Sequence, residues 1–236
     1  MNMNMNMNLN KKIFFSVISF FILIYTYFSY FKYNDKITYF TTDISYNSSQ
    51  LIELLNNKGL VKDPNKNFNN SSCKLFNFYD ISNNCNIFIQ KYYNDDFLNY
   101  IKSLVNEKNL YFIDPIIEPL SFTMQLYTYN DFMSYHFDTN FSSGSRYSVL
   151  IPLYINQYNE SYLTIKNDKK EEKIIDISLG NGIVYNGDKV YHKVSKQSIH
   201  GERITLIINL TTNQKYSLFG KILQKIRNYM LEYYTW

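Results

Sequence analysis

A chain of 236 residues, 45% hydrophobic and 18% aromatic, has enough apolar surface for one domain-sized core and an appendage. Its formal net charge of +4 is small and spread along the chain, which excludes the basic stripe of a nucleic-acid-binding protein. Two cysteines, Cys73 and Cys85, exclude a disulfide framework and leave open either one bridge or two thiols.

Met1 to Asn10 is a low-complexity Met-Asn alternation, broken once at Leu9, and Lys11-Lys12 close the tail over 1–12. Ile13 to Phe31 then carries no charge over about the length that crosses a bilayer as a helix. Tyr25, Tyr27 and Tyr30 gather at its C-terminal end, as interfacial aromatics do. A cleaved signal peptide would have a shorter apolar region and a small-residue cleavage site, which is absent here. A buried core helix is the remaining alternative. We expect a transmembrane anchor over 13–31, with a cytoplasmic tail over 1–12 set by the lysine pair. The protein would then be single-pass type II, with the chain beyond residue 31 in the endoplasmic reticulum or secretory lumen.

Residues 32–85 read as a stem, with a short helix opening at Ser48 and stopped by Gly59 and a polar loop from Asp63 to Ser72. Asn47, Asn69, Asn70, Asn140, Asn159 and Asn209 head N-x-S/T sequons, compatible with a lumenal domain in an Asn-rich chain. Asn94-Asp95-Asp96 predicts a helix start, followed by Phe97, Ile101, Leu104 and Val105 at amphipathic spacing. The period then changes. Short strands are predicted over 122–129, 147–155, 162–165, 173–177, 182–186, 191–194 and 203–210, with turn residues between them. So many short strands imply a sandwich or barrel. Leu218, Ile222, Ile226, Tyr229, Met230 and Tyr233 predict an amphipathic helix over 217–236, packed on the barrel.

The chain has only three histidines. Residues i and i+2 of a strand share a face, so His136 and Asp138 would project into one cavity. His192 is the candidate for a third ligand. Two imidazoles and one carboxylate on one side of a metal leave the opposite positions open, the ligand set of non-haem Fe(II) oxygenases. A structural zinc site would be closed and richer in cysteine.

Tyr127 precedes His136-x-Asp138. Gly144-Ser-Arg146 opens the next strand, Gly182-Ile-Val-Tyr-Asn-Gly-Asp188-x-x-x-His192 follows, and Gly201-Glu-Arg203-Ile-Thr205 opens the last. In order and spacing these elements, over about residues 86–216, resemble the catalytic domain of the 2-oxoglutarate- and Fe(II)-dependent dioxygenases, the prolyl 4-hydroxylase branch above all. The resemblance implies a mainly β (α+β) fold: a double-stranded β-helix, or jelly-roll barrel, with flanking helices. It implies Fe(II) on His136, Asp138 and His192, 2-oxoglutarate and O2 as co-substrates, and ascorbate as an auxiliary reductant. The far carboxylate of 2-oxoglutarate would meet Arg203, whose guanidinium pairs bidentately with carboxylates, assisted by Tyr127 and Thr205. No catalytic residue beyond the iron site is implied. Collagen-type prolyl hydroxylases usually carry lysine where Arg203 stands, and the Gly-Gly often found before the strand at Tyr162 is replaced by residues 156–161. Both departures bear on the substrate more than on the cofactors. Arg146 is expected to close a surface ion pair at a strand start, and His200 to be solvated beside Gly201.

The expected function is hydroxylation of prolyl residues of a protein or peptide, with release of succinate and CO2. The alternatives are the same chemistry on lysyl residues or a small molecule, and a barrel that binds ligand without catalysis. The nucleic-acid repair branch is disfavoured because Asn209 stands where it has a second arginine. Oligomeric state is not legible.

Overall fold

The computed structural model describes residues 34–42, 51, 71–216, 218 and 220–225. The tail over 1–12, the anchor over 13–31, most of the helix and loop expected over 48–72, and the end of the C-terminal helix lie outside the described residues. Among the described residues no helix is long and apolar enough to cross a membrane.

Two antiparallel sheets face each other. The larger has seven strands in the order β1-β10-β7-β12-β5-β3, with β4 on the end of β12. Its strands are β1 (Ile37–Thr41), β3 (Lys74–Phe76), β4 (Tyr111–Phe112), β5 (Phe122–Tyr127), β7 (Arg146–Ile155), β10 (Asn181–Asn186) and β12 (Arg203–Thr211). The smaller sheet runs β2-β6-β11-β8-β9, from β2 (Ser71–Ser72), β6 (Phe132–His136), β8 (Leu163–Lys166), β9 (Glu172–Ile175) and β11 (Tyr191–Val194). Every pairing is antiparallel, as expected for a jelly roll.

Strand β12 shows how sequence builds this architecture. Ile204, Leu206, Ile208 and Leu210 point outward into a core shared with the helices. Arg203, Thr205, Asn209 and Thr211 occupy the alternate positions, and all are buried. A strand with one apolar and one polar face, both hidden from water, must have its polar face inside something that uses it. Strand β7 repeats the pattern, with Val149, Ile151 and Leu153 outward and Arg146, Ser148 and Leu150 inward. Pro152 lacks a ladder donor, and the register shifts beside it, between Ile204 and Thr205 of β12. A second core between the sheets gathers Leu150, Leu163, Ile165, Ile175, Ile183, Tyr185 and Val194.

Among the described residues, three helices cover the outer face of the larger sheet: α1 (Phe78–Asn84), α2 (Asn86–Tyr92) and α3 (Asp95–Val105). Asn77 and Asp80 close a capping box on α1. The predicted helix after Asn94 is α3. The Asn94 carboxamide accepts from the Phe97 N–H at 2.9 Å, Asp95 and Asp96 occupy the positive N-terminal turn, and Asn106 ends the helix at φ 54°. Leu98 and Ile101 are its buried face. Residues 220–225 are helical, the described part of the helix predicted over 217–236.

The segment over 32–85, read from sequence as a stem, supplies strands to both sheets. Ile37–Thr41 pairs with β10, Lys74–Phe76 with β5, and Ser71–Ser72 with β6. The sheets therefore begin well before residue 86. Strands this short carry little local signal, and their partners lie far along the chain. Cys73 and Cys85 are both buried, and each keeps its thiol. Of the sequons, Asn209 is buried and its carboxamide donates to the Leu120 carbonyl at 3.2 Å, which leaves it no access for glycan.

Candidate metal centre

His136 ends β6 and lies opposite His192 of β11. Between His192 and Val194 the pairing slips by one residue, from His136 to Met133, so β6 carries a bulge at Ser134-Tyr135. That extra residue places Met133 and His136 on the same inward face, a common use of a bulge beside a site. Asp138 lies two residues beyond the strand, and its N–H donates to the Gly187 carbonyl at 2.9 Å. A Cβ at Gly187 would strike Asp138 and Ser148, so only glycine lets the two loops approach this closely.

The three donors converge. Asp138 Oδ1 is 3.7 Å from His136 Nε2 and 3.7 Å from His192 Nε2. One ligand atom from each of the three lies within 4.8 Å of the others. His136 Nδ1 meets the Ser134 carbonyl at 2.8 Å and His192 Nδ1 meets the Val190 carbonyl at 2.9 Å. A carbonyl can only accept, so both Nδ1 atoms carry a hydrogen, and the two Nε2 atoms on the side of Asp138 are the positions left for a metal. The spacing predicted from H-x-D and a distal histidine thus brings His136, Asp138 and His192 together.

Burial would raise the Asp138 carboxyl, but the two imidazoles and the Ser148 hydroxyl hold it well below the usual carboxylate range. Burial pushes His192 down to about 4, helped by the neighbouring His136 and opposed by Asp138. Burial also pulls His136 down, but the hydrogen bond and charge of Asp138 and the Ser134 carbonyl outweigh it, and His136 is raised above its ordinary value. A metal ion must displace the His136 proton, because it needs that lone pair. Affinity should therefore weaken as pH falls below the raised His136 value, about tenfold per pH unit, with one proton released per ion. Calorimetry of Co(II) binding in buffers of different ionisation heat counts that proton. An affinity that stays flat as the pH is lowered through the histidine range would sink the assignment.

Arg203 heads β12 at the other end of the same cavity and is 4% exposed. One Nη1 hydrogen goes to the Ser161 carbonyl at 3.2 Å, and the guanidinium lies 4.8 Å from the centre of the Tyr127 ring. Among the described residues no carboxylate lies within ion-pair distance of it, and its Nε has no acceptor. Thr205, also predicted here, lines the cavity with its Oγ1 unbonded. Tyr127 lies directly across from Arg203 and is fully buried; its hydroxyl donates to Gln125 Oε1 at 2.9 Å.

Arg146 is not the surface residue expected. It is buried and pairs with equally buried Glu118 at 3.0 Å. Its Nε donates to Asn209 Oδ1 at 3.3 Å, and Ser148, 3.1 Å from the same oxygen, donates from its hydroxyl to Asp138 Oδ2. A chain of polar contacts therefore runs from a buried ion pair to the carboxylate of the trio. The strand start projects inward because residues 146 and 148 share the barrel face, which charge alone does not reveal. Asp188, part of the distal motif, stays outside the trio and accepts from Asn140 Nδ2 at 2.7 Å and the Arg146 N–H at 3.2 Å. His200 is exposed, as expected. Sequence reading missed Ser148, Asn209, Glu118, Gln125 and Gly187. The alternation of polar residues in Arg146-Tyr-Ser148 and Arg203-Ile-Thr-Leu-Ile-Ile-Asn209 was the available signal for Ser148 and Asn209.

The barrel is shared with solved structures. The chain superimposes on the non-haem α-ketoglutarate-dependent epimerase SnoN from nogalamycin biosynthesis with TM-score 0.53 at 9% identity, over 74% of this chain and 76% of that one. It superimposes on a prolyl hydroxylase from Trichoplax adhaerens, in complex with a hypoxia inducible factor oxygen degradation domain peptide fragment, with TM-score 0.50 at 14% identity, over 79% and 86%. A 2OG-Fe(II) oxygenase family oxidoreductase from Burkholderia pseudomallei gives TM-score 0.45 at 11% identity over 56% of this chain, which spans 60% of that protein's length. No protein-family model and no curated protein matches the chain. At such identities the shared property is the fold: this chain has the mainly β, jelly-roll-like fold of these structures.

Proposed function

We propose that this protein is a 2-oxoglutarate- and Fe(II)-dependent dioxygenase that hydroxylates prolyl residues of a protein substrate, releasing succinate and CO2. One observation carries the reading: a single cavity holds three converging metal donors and a buried guanidinium with no carboxylate partner among the described residues. A buried charge without a partner is costly, so Arg203 asks for an anion. The unbonded Arg203 Nε and Thr205 Oγ1 point to the same need. Both fit a dicarboxylate lying between Arg203 and the trio, and the two-imidazole, one-carboxylate donor set fits Fe(II) with positions left open.

His136, Asp138 and His192 would hold the iron, which when bound supplies the activation of O2 that couples decarboxylation of the keto acid to hydroxylation of a C–H bond. The rest is the work of the chain. Arg203 binds the far carboxylate, and Thr205 adds a hydroxyl beside it. Tyr127 lies against the guanidinium and holds its plane. Leu150, Leu163, Ile177 and Val194 wall the cavity and exclude water. Ser148 and Gly187 orient Asp138.

The prolyl assignment is supported by the residue pattern over 127–205 and by the fold shared with the Trichoplax prolyl hydroxylase, whose structure holds a peptide. The fold shared with SnoN favours a second reading, the same cofactors acting on a small molecule. The apolar run over 13–31 would anchor the enzyme with its barrel on the lumenal side, close to secretory substrates.

The test is succinate release from 2-oxoglutarate by the full chain in detergent, with Fe(II) and ascorbate, with and without proline-rich peptides. Stimulation by the peptides supports the prolyl reading. Turnover without stimulation moves the substrate to the second. Arg203→Ala should raise the 2-oxoglutarate KM by at least about thirtyfold, the loss of a paired charge-assisted contact, while iron stoichiometry is unchanged. Equal loss of iron in this variant would overturn the division of roles.

A further inference from the structure

Tyr185 has no role in the site as described so far. It is on β10, is 3% exposed, and lines the cavity that holds the trio and Arg203. Its ring meets His192 edge-on with centroids 5.2 Å apart, and its hydroxyl lies 3.3 Å from His192 Nε2. His192 Nδ1 carries the ring hydrogen, because it faces the Val190 carbonyl. The Tyr185 hydroxyl is therefore the donor and the Nε2 lone pair the acceptor. A phenol with its ordinary acidity keeps its hydrogen at physiological pH, so the hydroxyl is available as a donor.

That lone pair is also the one a metal would take. Once it is taken, the Tyr185 hydroxyl loses its acceptor while remaining sealed from water. A buried hydroxyl without a partner costs free energy, and the only new acceptors are oxygens brought in beside the metal. From this exchange of acceptors we propose that Tyr185 is a positioning residue, whose hydroxyl donates to an oxygen of the keto-acid end of the co-substrate held next to His192. The inference rests on the dioxygenase reading above and deepens it. Arg203 and Thr205 would fix one end of the dicarboxylate, and Tyr185 the other.

Tyr185→Phe tests this, since it deletes one oxygen and keeps the buried ring. Three quantities are read anaerobically on full-length protein: Fe(II) affinity, 2-oxoglutarate affinity of the Fe(II) form, and the visible metal-to-ligand absorption of an iron(II) α-keto acid chelate. We expect an unchanged melting temperature and Fe(II) affinity, a 2-oxoglutarate Kd raised roughly tenfold, the size of one hydrogen bond to a charged oxygen, and a shifted absorption band. Pyruvate, which has no far carboxylate for Arg203, should show the same band shift. An unchanged band and 2-oxoglutarate Kd in Tyr185→Phe overturn the proposal. So does a loss confined to Fe(II) affinity, which would show that the hydroxyl serves Asp138 instead. Absence of any band in the unsubstituted protein would instead bring down the dioxygenase reading itself, so the two failures are distinct.

Discussion

Asp138→Ala should abolish turnover and weaken Fe(II) binding at least about a hundredfold, while the fold stays intact. The size follows from what Asp138 supplies. It is the only carboxylate of the trio and lies 3.7 Å from both Nε2 atoms. Its charge balances the ion, and replacing contacts behind a ligand typically already costs 10–100-fold in affinity. Without it, two neutral imidazoles face each other with ring centres 4.2 Å apart and nothing to offset a dication. The fold should survive because Asp138 lies beyond the end of β6 and its backbone bond to Gly187 does not need the side chain. Anaerobic titration with Fe(II) or Co(II), beside a melting curve, separates the two effects. Near-normal metal affinity would remove Asp138 from the ligand set. A melting temperature that collapses with the affinity would make Asp138 a structural residue.

The second large effect is expected far from the metal. Glu118→Ala should destabilise the protein by about 3–5 kcal/mol, the usual consequence of stranding one member of a buried ion pair, or roughly 10 °C in melting temperature for a domain of this size. Glu118 and Arg146 are both sealed from solvent and paired at 3.0 Å, and Tyr216 donates to the other Glu118 oxygen at 3.2 Å. Removing the carboxylate leaves the guanidinium charge buried without compensation. The double variant Glu118→Leu, Arg146→Met should recover most of the loss, because an apolar pair of similar volume does not carry the desolvation cost. Because Arg146 also donates to Asn209, next to Ser148 and Asp138, the single variant should weaken metal binding as well. Urea denaturation of Glu118→Leu, Arg146→Met and the double variant gives the coupling. A cost below about 1 kcal/mol for Glu118→Ala would mean that water reaches Arg146, and the polar chain from Glu118 to Asp138 would lose its anchor.

How much of this was readable without coordinates depends on how local the determinant is. His136 and Asp138 are two apart, and a strand's period predicts that they share a face; in the structure β6 ends at His136, and the bond from the Asp138 N–H to the Gly187 carbonyl sets where Asp138 sits. Even so, a bulge in β6 sets which face that is, and nothing in Phe132–His136 announces it. Helix α3 was legible from Asn94-Asp95-Asp96 and its spacing, because capping and amphipathicity are properties of a single short stretch. The segment 32–85 was misread as a stem because Ile37–Thr41 has meaning only as the partner of β10. Arg146 was placed on the surface because a charged side chain is usually solvated; only Glu118, brought in by the turn before β5, makes its burial affordable.

The amino-acid sequence by itself determined helix α3, strands β5 and β7 to β12, the alternation that gives β7 and β12 a polar inner face, and the residue types capable of binding a metal and a carboxylate. These follow from side-chain chemistry and from periods of two and 3.6 residues, which act over a few neighbours. Only the tertiary structure decided that His192 meets His136 across the smaller sheet, that Arg203 has no acid beside it among the described residues, that Ser148 holds Asp138, and that the Tyr185 hydroxyl faces His192 Nε2. Each depends on sheet register between strands distant in the chain. Register is set by the burial of the whole inner face at once, so no short stretch carries it.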